Sequence, residues 1–444
     1  MRKPTSFFRY SDMSTRPFSS TRRAFLAAIL SAAGTDLATA AGLPTGNGAR
    51  IGVVGAGVGG LTAARYLRML MPRAHITVFE PNRRYHACFK SNEALANTRP
   101  DDDLLFGYNA WAKRVEWIPE PVASVETGMI VTERGRRHAF DWIVVSTGVQ
   151  FRYEGIDGLS ARQSLDVPHA WGDKTQFDAL KSQLVAMRDG GVFLIAPPKA
   201  PYKCPPGPFE RASLVAHYLR RNKPNSKIII ADASENFSKQ PLFQQGWERL
   251  YGFGTPNSLI ERISGGKGGR VVSIDVDNRR VKLENGETIV ADVCNLIPPQ
   301  YAGAMLERSG ITDPSGWCPV DKATMESTRM ARVHVVGDAC DAASMPKSAF
   351  SATSQAKACA FAIAAAAFSA APPDPRFMNA CFSLLEPGYG ISIAHHYGYE
   401  KAGNRIAQLS GGTTSLDASN EDHLREAAFS EDWFKIITRQ LFSA

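Results

Sequence analysis

The stretch ARIGVVGAGVGGLTAARYLRML, residues 49–70, constrains the fold more than any other part of this 444-residue chain. An apolar run, IGVV, meets Gly55, Gly57 and Gly60 and passes directly into residues with helical periodicity. A second apolar run, HITVFE, closes on Glu80, twenty residues after Gly60. A glycine triplet alone is weak evidence, but strand, triplet, helix, strand and acid in this order specify a dinucleotide-binding βαβ unit. The glycines let the backbone approach a pyrophosphate at the helix N-terminus, where free amides and the helix dipole favour an anion. Glu80 is then expected on the adenosine ribose hydroxyls.

Ahead of this unit, TRRAFLAAILSAAG sets Arg22 and Arg23 before a short apolar run, and small residues stand at positions 38–40. The pattern predicts a twin-arginine leader over residues 1–40, cleaved on export to the periplasm after cytoplasmic folding. The leader carries +4 of the formal +8 charge, so the mature surface gives no reason to expect a nucleic-acid partner. No later stretch reaches about 18 uninterrupted apolar residues, so no stable membrane insertion is expected.

DWIVVSTG (141–148) and VHVVGDAC (333–340) are similar to two landmarks of two-dinucleotide flavoproteins: the strand leaving the flavin domain and the strand whose aspartate binds the ribityl chain. Thr147, Gly148, Gly337 and Asp338 thereby become candidate FAD contacts. A sheet that begins near residue 49 and resumes near 293 implies an insertion. The expected fold class is α/β, with two Rossmann-like domains of the glutathione-reductase type, the second inserted in the first, plus a small C-terminal α+β domain. The FAD-binding domain would span 47–160 and 293–370, the inserted domain 161–292, and the flavin-covering module 371–444. In the inserted domain, GGVFLIAPP runs into KAPYKCPPGPFERAS, with prolines where a phosphate-binding triplet belongs. Proline has no amide to donate, so the nicotinamide site is expected to be lost.

The seven cysteines are Cys88, Cys204, Cys294, Cys318, Cys340, Cys359 and Cys381, with no CxxC and no CxxCH. Zinc ribbons, cubane clusters and covalent haem on this chain are therefore disfavoured.

Read in order, YHACFKSNE, APPKAPYKCPPGPFERAS, FSKQPLFQQGWERLYGFGT, NLIPPQ, GWCPVD, VVGDACDAASMPKSAFSATSQAK and CFSLLEPGYGISIA resemble the flavoprotein subunit of flavocytochrome c sulfide dehydrogenase. The resemblance covers nearly the whole chain after the leader. It implies FAD bound covalently, sulfur to 8α-methyl carbon, through the cysteine of a "Tyr, two residues, Cys, aromatic" block followed by SNE, which here is Cys88. On its residues alone Cys88 also reads as a small buried hydrophobe, the usual fate of a cysteine.

The resemblance further implies a redox disulfide beside the flavin between Cys204 and Cys381, 177 positions apart; a structural disulfide is the other reading. Hydrosulfide would attack one sulfur, leaving a persulfide and a thiolate. Two electrons would pass to the flavin and then singly to haem c on a partner cytochrome subunit in a heterodimer. Glu210 is a candidate for proton management at the disulfide, or a solvated carboxylate. Lys347 is a candidate to offset charge at the flavin N1 and O2, or a surface lysine. Trp433 belongs near the ring, at a docking face, or in the core of an amphipathic helix. His395 and His396 are a weak metal signal, and no metal is expected. Cys294, Cys318, Cys340 and Cys359 read as structural, with Cys318 and Cys340 the two for which another role stays open. A membrane-attached sulfide:quinone oxidoreductase shares these features, as does a redox activator of a thiosulfate-oxidising complex. The polar C-terminal tail, with one short amphipathic stretch, favours a protein that is not membrane-attached.

Overall fold

The computed structural model describes residues 48–443, and the expected leader lies outside them. The site is built by β1 (Arg50–Val54), α1 (Val58–Leu70), β2 (His75–Phe79), α2 (Ser91–Leu95), β3 (Glu116–Ile118) and β4 (Trp142–Val145). Then come β5 (Val192–Ala196), α3 (Gly207–Asn222), β6 (Lys227–Ala231), α4 (Gln240–Tyr251), β7 (Ile260–Ile263) and β8 (Val293–Leu296). After β9 (Val333–Val335) and α5 (Ala349–Ala367) follow β10 (Arg376–Glu386), β11 (Tyr389–Glu400), β12 (Arg405–Thr413) and α6 (Asn420–Phe442).

The first sheet has the order β9-β4-β1-β2-β3 with every pair parallel. Its strands are apolar on both faces because both are covered, one by α1, whose Gly60 lies against Val53, and the other by Ile130 of a small antiparallel sheet and Phe140 just past it, which lie against Gly52 and Phe79. The second sheet, β7-β6-β5-β8, is also parallel, and its strands all fall in sequence between β4 and β9. The third, β10-β11-β12, is antiparallel and carries α6. This is the α/β class expected from the sequence.

One expectation is corrected. The strand at 293 does not return the chain to the first sheet; β8 pairs with β5, Phe193 opposite Val293 and Ala196 opposite Leu296. The first sheet resumes only at β9. All four residues of β8 are buried, and a short strand buried on both faces has no alternation to tell one parallel sheet from another.

A single core joins the elements around the site. Leu95 of α2, Phe209 of α3, Phe243 and Trp247 of α4, Leu385 of β10 and Phe434 of α6 all belong to it. Gly246 lets α4 close on β10: a Cβ there would stand 2.0 Å from Leu385 Cδ2. The Tyr251 hydroxyl donates to the Leu385 carbonyl at 2.6 Å across the same seam. Truncating a core leucine of this kind costs about 2–5 kcal/mol, so β10 is held firmly against the second sheet's helices.

Candidate active site

Because β1, β2, β4 and β9 run parallel, their carboxyl ends share one edge, and there the Gly55 turn, Glu80, Thr147 and Gly337 come together. Gly55 turns at φ +93, and a Cβ on Gly60 would lie 1.9 Å from the Gly55 oxygen. No side chain caps α1 and no acid stands in its first turn, so its leading amides are free for an anion. Glu80 accepts the Ala56 amide at 3.0 Å on one oxygen. Its other oxygen accepts the Asn82 amide and side chain at 2.9 and 2.7 Å. Thr147 is exposed, and Gly148, at φ +72, faces open space.

Asp338 follows Gly337, and its Oδ1 is buried without a hydrogen-bond partner. Burial pushes its carboxyl up, against the pull of Lys203 and Lys347. An unpartnered buried acceptor costs about 1–3 kcal/mol unless something donates to it. A glycine turn under uncapped amides, a ribose-type acid and an unsatisfied carboxylate oxygen fit a dinucleotide that carries a hydroxyl chain.

Cys88 lies half-buried just before α2, and its carbonyl accepts the Ser91 amide and hydroxyl at 3.1 and 2.6 Å. Its sulfur faces the Lys203 ammonium. Burial works against the Lys203 charge, but Cys88, Asp338 and Cys204 outweigh it and hold the ammonium above its ordinary value. Asn92 and Glu93 of the same block are structural. Asn92 Nδ2 donates to Glu210 at 2.8 Å, and its Oδ1 accepts Arg211 Nε at 3.0 Å. Glu93 pairs with Lys90 at 2.6 Å and Arg99 at 3.1 Å, and Arg99 reaches on to Glu431 of α6.

Cys204 and Cys381 meet through their side chains as unbonded thiols. Cys204 sits at φ +57, an unusual backbone for a cysteine. Its amide donates to the Lys347 carbonyl at 2.8 Å. Gly207 makes room for it, since a Cβ there would stand 2.9 Å from the Cys204 sulfur and 2.8 Å from the Trp171 ring. The hydrogen bond to Cys381, then burial, pushes the Cys204 thiol up. That same bond pulls Cys381 down to about 7, helped by Lys239 and opposed by burial.

Glu210 is not a solvated carboxylate. It accepts the Leu384 amide at 2.9 Å and Asn92 Nδ2 at 2.8 Å, and burial raises it above the usual range. Arg211, 2% exposed, is fixed by Asn92, by Asn295 Oδ1 at 2.9 Å and by the carbonyls of His169 and Ala170. Burial lowers it to about 9, against the charges of Cys204, Glu210 and Cys88.

Lys347 is not a surface lysine. Its ammonium donates to the Asp338 and Cys340 carbonyls at 2.8 and 2.9 Å and lies 3.6 Å over the Trp317 ring. With two donors on backbone, its visible work is to join the Asp338 loop to Cys204. Trp433 is half-buried against Phe89, the neighbour of Cys88, at 5.2 Å and Phe350 at 6.3 Å. His395 contacts Tyr397. Among the described residues, no group of three His, Cys, Asp or Glu is placed to hold a metal. Cys294, Cys318, Cys340 and Cys359 are buried thiols pushed up by burial, the first three to about 12, 12 and 11.

Sequence reading missed Lys203, Lys239, Arg211 and Asn92. All four lie inside the blocks that carry the resemblance, and Lys203 and Arg211 directly follow or precede a candidate residue. Nothing local told them from solvated polar residues.

Three family models match the chain. Residues 49–186 match the pyridine nucleotide-disulphide oxidoreductase model, and 177–298 match the sulfide dehydrogenase [flavocytochrome c] flavoprotein chain, central. Residues 373–442 match the flavocytochrome c sulphide dehydrogenase, flavin-binding. Mitochondrial sulfide:quinone oxidoreductases are relatives. The Mus musculus protein is 25% identical over 64% of this chain and 64% of its own length. The Dictyostelium discoideum protein is 23% identical over 70% and 69%. The match thus spans about two thirds of these relatives. In structure, the chain is similar to the sulfide:quinone oxidoreductase of Aquifex aeolicus, with a TM-score of 0.70, 16% identity, and coverage of 89% of this chain and 93% of that one. An NAD-dependent persulfide reductase from A. fulgidus gives a TM-score of 0.57 at 14% identity, covering 86% and 77%. The low identities of these structures speak for the fold alone, whereas two models of one flavoprotein chain, matched in order behind a reductase module, concern this sequence itself. The chain belongs to the family of flavocytochrome c sulfide dehydrogenase flavoprotein chains and takes a flavin cofactor.

Proposed function

We propose that this protein oxidises hydrosulfide at the Cys204/Cys381 couple and passes the electrons, through FAD linked to Cys88, to a c-type cytochrome subunit. The observation that carries this reading is the meeting of two cysteines 177 positions apart, beside a cradle that fits a flavin dinucleotide. In the oxidised couple, hydrosulfide attacks one sulfur, the S–S bond breaks, and a persulfide and a thiolate result. Lys239 faces Cys381, so negative charge is tolerated on that sulfur, whereas Cys204 is pushed up and holds a proton. Cys204 adjoins Lys203, and through it Cys88 and Asp338, which supports Cys204 as the sulfur on the cofactor side. Glu210, close to both sulfurs and inclined to hold a proton, suits transfer of the proton released as hydrosulfide reacts. The bound FAD supplies an acceptor for an electron pair that releases electrons singly. The twin-arginine leader supports work in the periplasm, where a cytochrome partner supplies the haem this chain has no CxxCH to bind.

A quinone acceptor is the second reading, favoured by the relatives' names and by exposed Leu424 and Ile436 on α6. No helix among the described residues is long and apolar enough to cross a membrane. The test is anaerobic addition of sulfide to the purified flavoprotein, followed by either cytochrome c or a short-chain ubiquinone. Bleaching and then rapid cytochrome reduction are expected. Absence of bleaching overturns sulfide oxidation, and reoxidation by quinone alone overturns the cytochrome partner.

A further inference from the structure

Lys239 stands at the N-terminal entrance of α4 with a left-handed backbone at φ +62 and is only 6% exposed. Lysines are almost never buried to this degree unless something offsets the charge, and removing an ammonium from water costs several kcal/mol. The hydrogen bonds it makes here go to neutral acceptors, the Cys381 carbonyl at 3.1 Å and the Ser383 hydroxyl at 2.8 Å. Both lie on β10, so the ammonium is pinned at the stretch of strand that presents Cys381. Burial pushes the ammonium below its ordinary value, and the groups that face it and oppose this are Cys381, Glu210, Cys204 and Glu426, while Cys381 itself faces Cys204, Glu210 and Lys239. Glu210 already accepts from Leu384 and Asn92.

We propose that Lys239 is the counter-charge of the Cys381 sulfur, keeping it ionised in the reduced couple and so raising the couple's reduction potential. This deepens the reading of Cys204 and Cys381 as a redox couple and rests on it. On reduction the disulfide takes up two electrons and one proton: the S–S bond breaks, Cys204 takes the proton, and Cys381 becomes a thiolate that accepts the Cys204 S–H. Hydrosulfide supplies the electrons and the proton: one hydrosulfide opens the disulfide to a persulfide, and a second takes the outer sulfur off as hydrodisulfide. Stabilising the reduced form makes the disulfide a stronger oxidant. The lowering of Cys381 to about 7 agrees with this arrangement.

The test uses the full flavin-bound chain, anaerobically, with Lys239→Gln, Lys239→Arg and Ser383→Ala. Alkylation of Cys381 and Cys204 by iodoacetamide is followed by peptide mass spectrometry across pH, and the couple is poised in dithiothreitol redox buffers. Wild type should alkylate first at Cys381, half-maximally near neutral pH. K239Q should move that midpoint up by about one pH unit, a tenfold loss of thiolate below neutral pH, and lower the potential by about 30 mV when read near pH 9, the same tenfold in the exchange constant. K239R should keep both values. S383A, which frees the ammonium without removing it, should shift both in the K239Q direction by less, and carries the test if K239Q does not fold. Unchanged profiles and potentials in K239Q, or in S383A where K239Q does not fold, overturn the role of Lys239. If oxidised wild type shows no Cys204–Cys381 disulfide, it is the underlying redox-couple reading that fails.

Discussion

Glu210 accepts the Leu384 backbone N–H at 2.9 Å, tying the helix that begins three residues past Cys204 to the strand that carries Cys381. Its other oxygen holds Asn92, in the helix after Cys88. One half-buried carboxylate thus keeps all three candidate cysteines in register.

Replacing Glu210 with Gln puts an NH2 against a donor at one of these two contacts, and the cost should be about 1–3 kcal/mol. The pH dependence has a definite sign. Burial keeps the Glu210 proton on to a higher pH in the folded chain than in the unfolded one. Its contribution to stability is full below the ordinary value of 4.5 and is lost as pH rises through the raised folded value. Urea denaturation from about pH 4 to pH 8 should show wild type losing stability relative to E210Q across that window; a constant difference would contradict the burial argument.

The glycine turn should separate two substitutions. Gly60→Ala places a Cβ 1.9 Å from the Gly55 oxygen, so the purified protein should lack bound flavin and melt earlier. Gly148→Ala meets open space and only backbone strain at φ +72, about 1–2 kcal/mol, and should retain its flavin. Absorbance at flavin wavelengths decides both.

Acid precipitation of the wild type should give a yellow pellet, and Cys88→Ser should release its flavin into the supernatant. A colourless wild-type pellet would refute the thioether.

Cys204→Ser and Cys381→Ser should each abolish sulfide-driven bleaching while flavin content stays within about twofold of wild type, because neither sulfur lies at the glycine turn. Turnover at the wild-type rate in either variant would refute the disulfide mechanism. Rates from stopped-flow absorbance read this directly, a thousandfold loss corresponding to about 4 kcal/mol.

The nucleotide-binding unit was legible in the sequence because its determinants are local. Alternating strand and helix periodicity, a glycine triplet at fixed spacing and an acid at the next strand end lie within a few dozen residues. The position of β8 was not legible, since VCNL is buried on both faces and only pairing with β5 assigns it. The functional reading of the cysteines came from family resemblance. Which sulfurs touch, and what surrounds them, was decided by packing. The core shared by α2, α3, α4 and β10 brings Lys203, Arg211, Lys239 and Glu210 around Cys204 and Cys381 from segments scattered along the chain. In sequence each of these is an ordinary charged residue, Lys203 and Lys239 in connecting segments and Glu210 and Arg211 in the first turns of a helix; the fold draws it away from water and leaves the others as its partners.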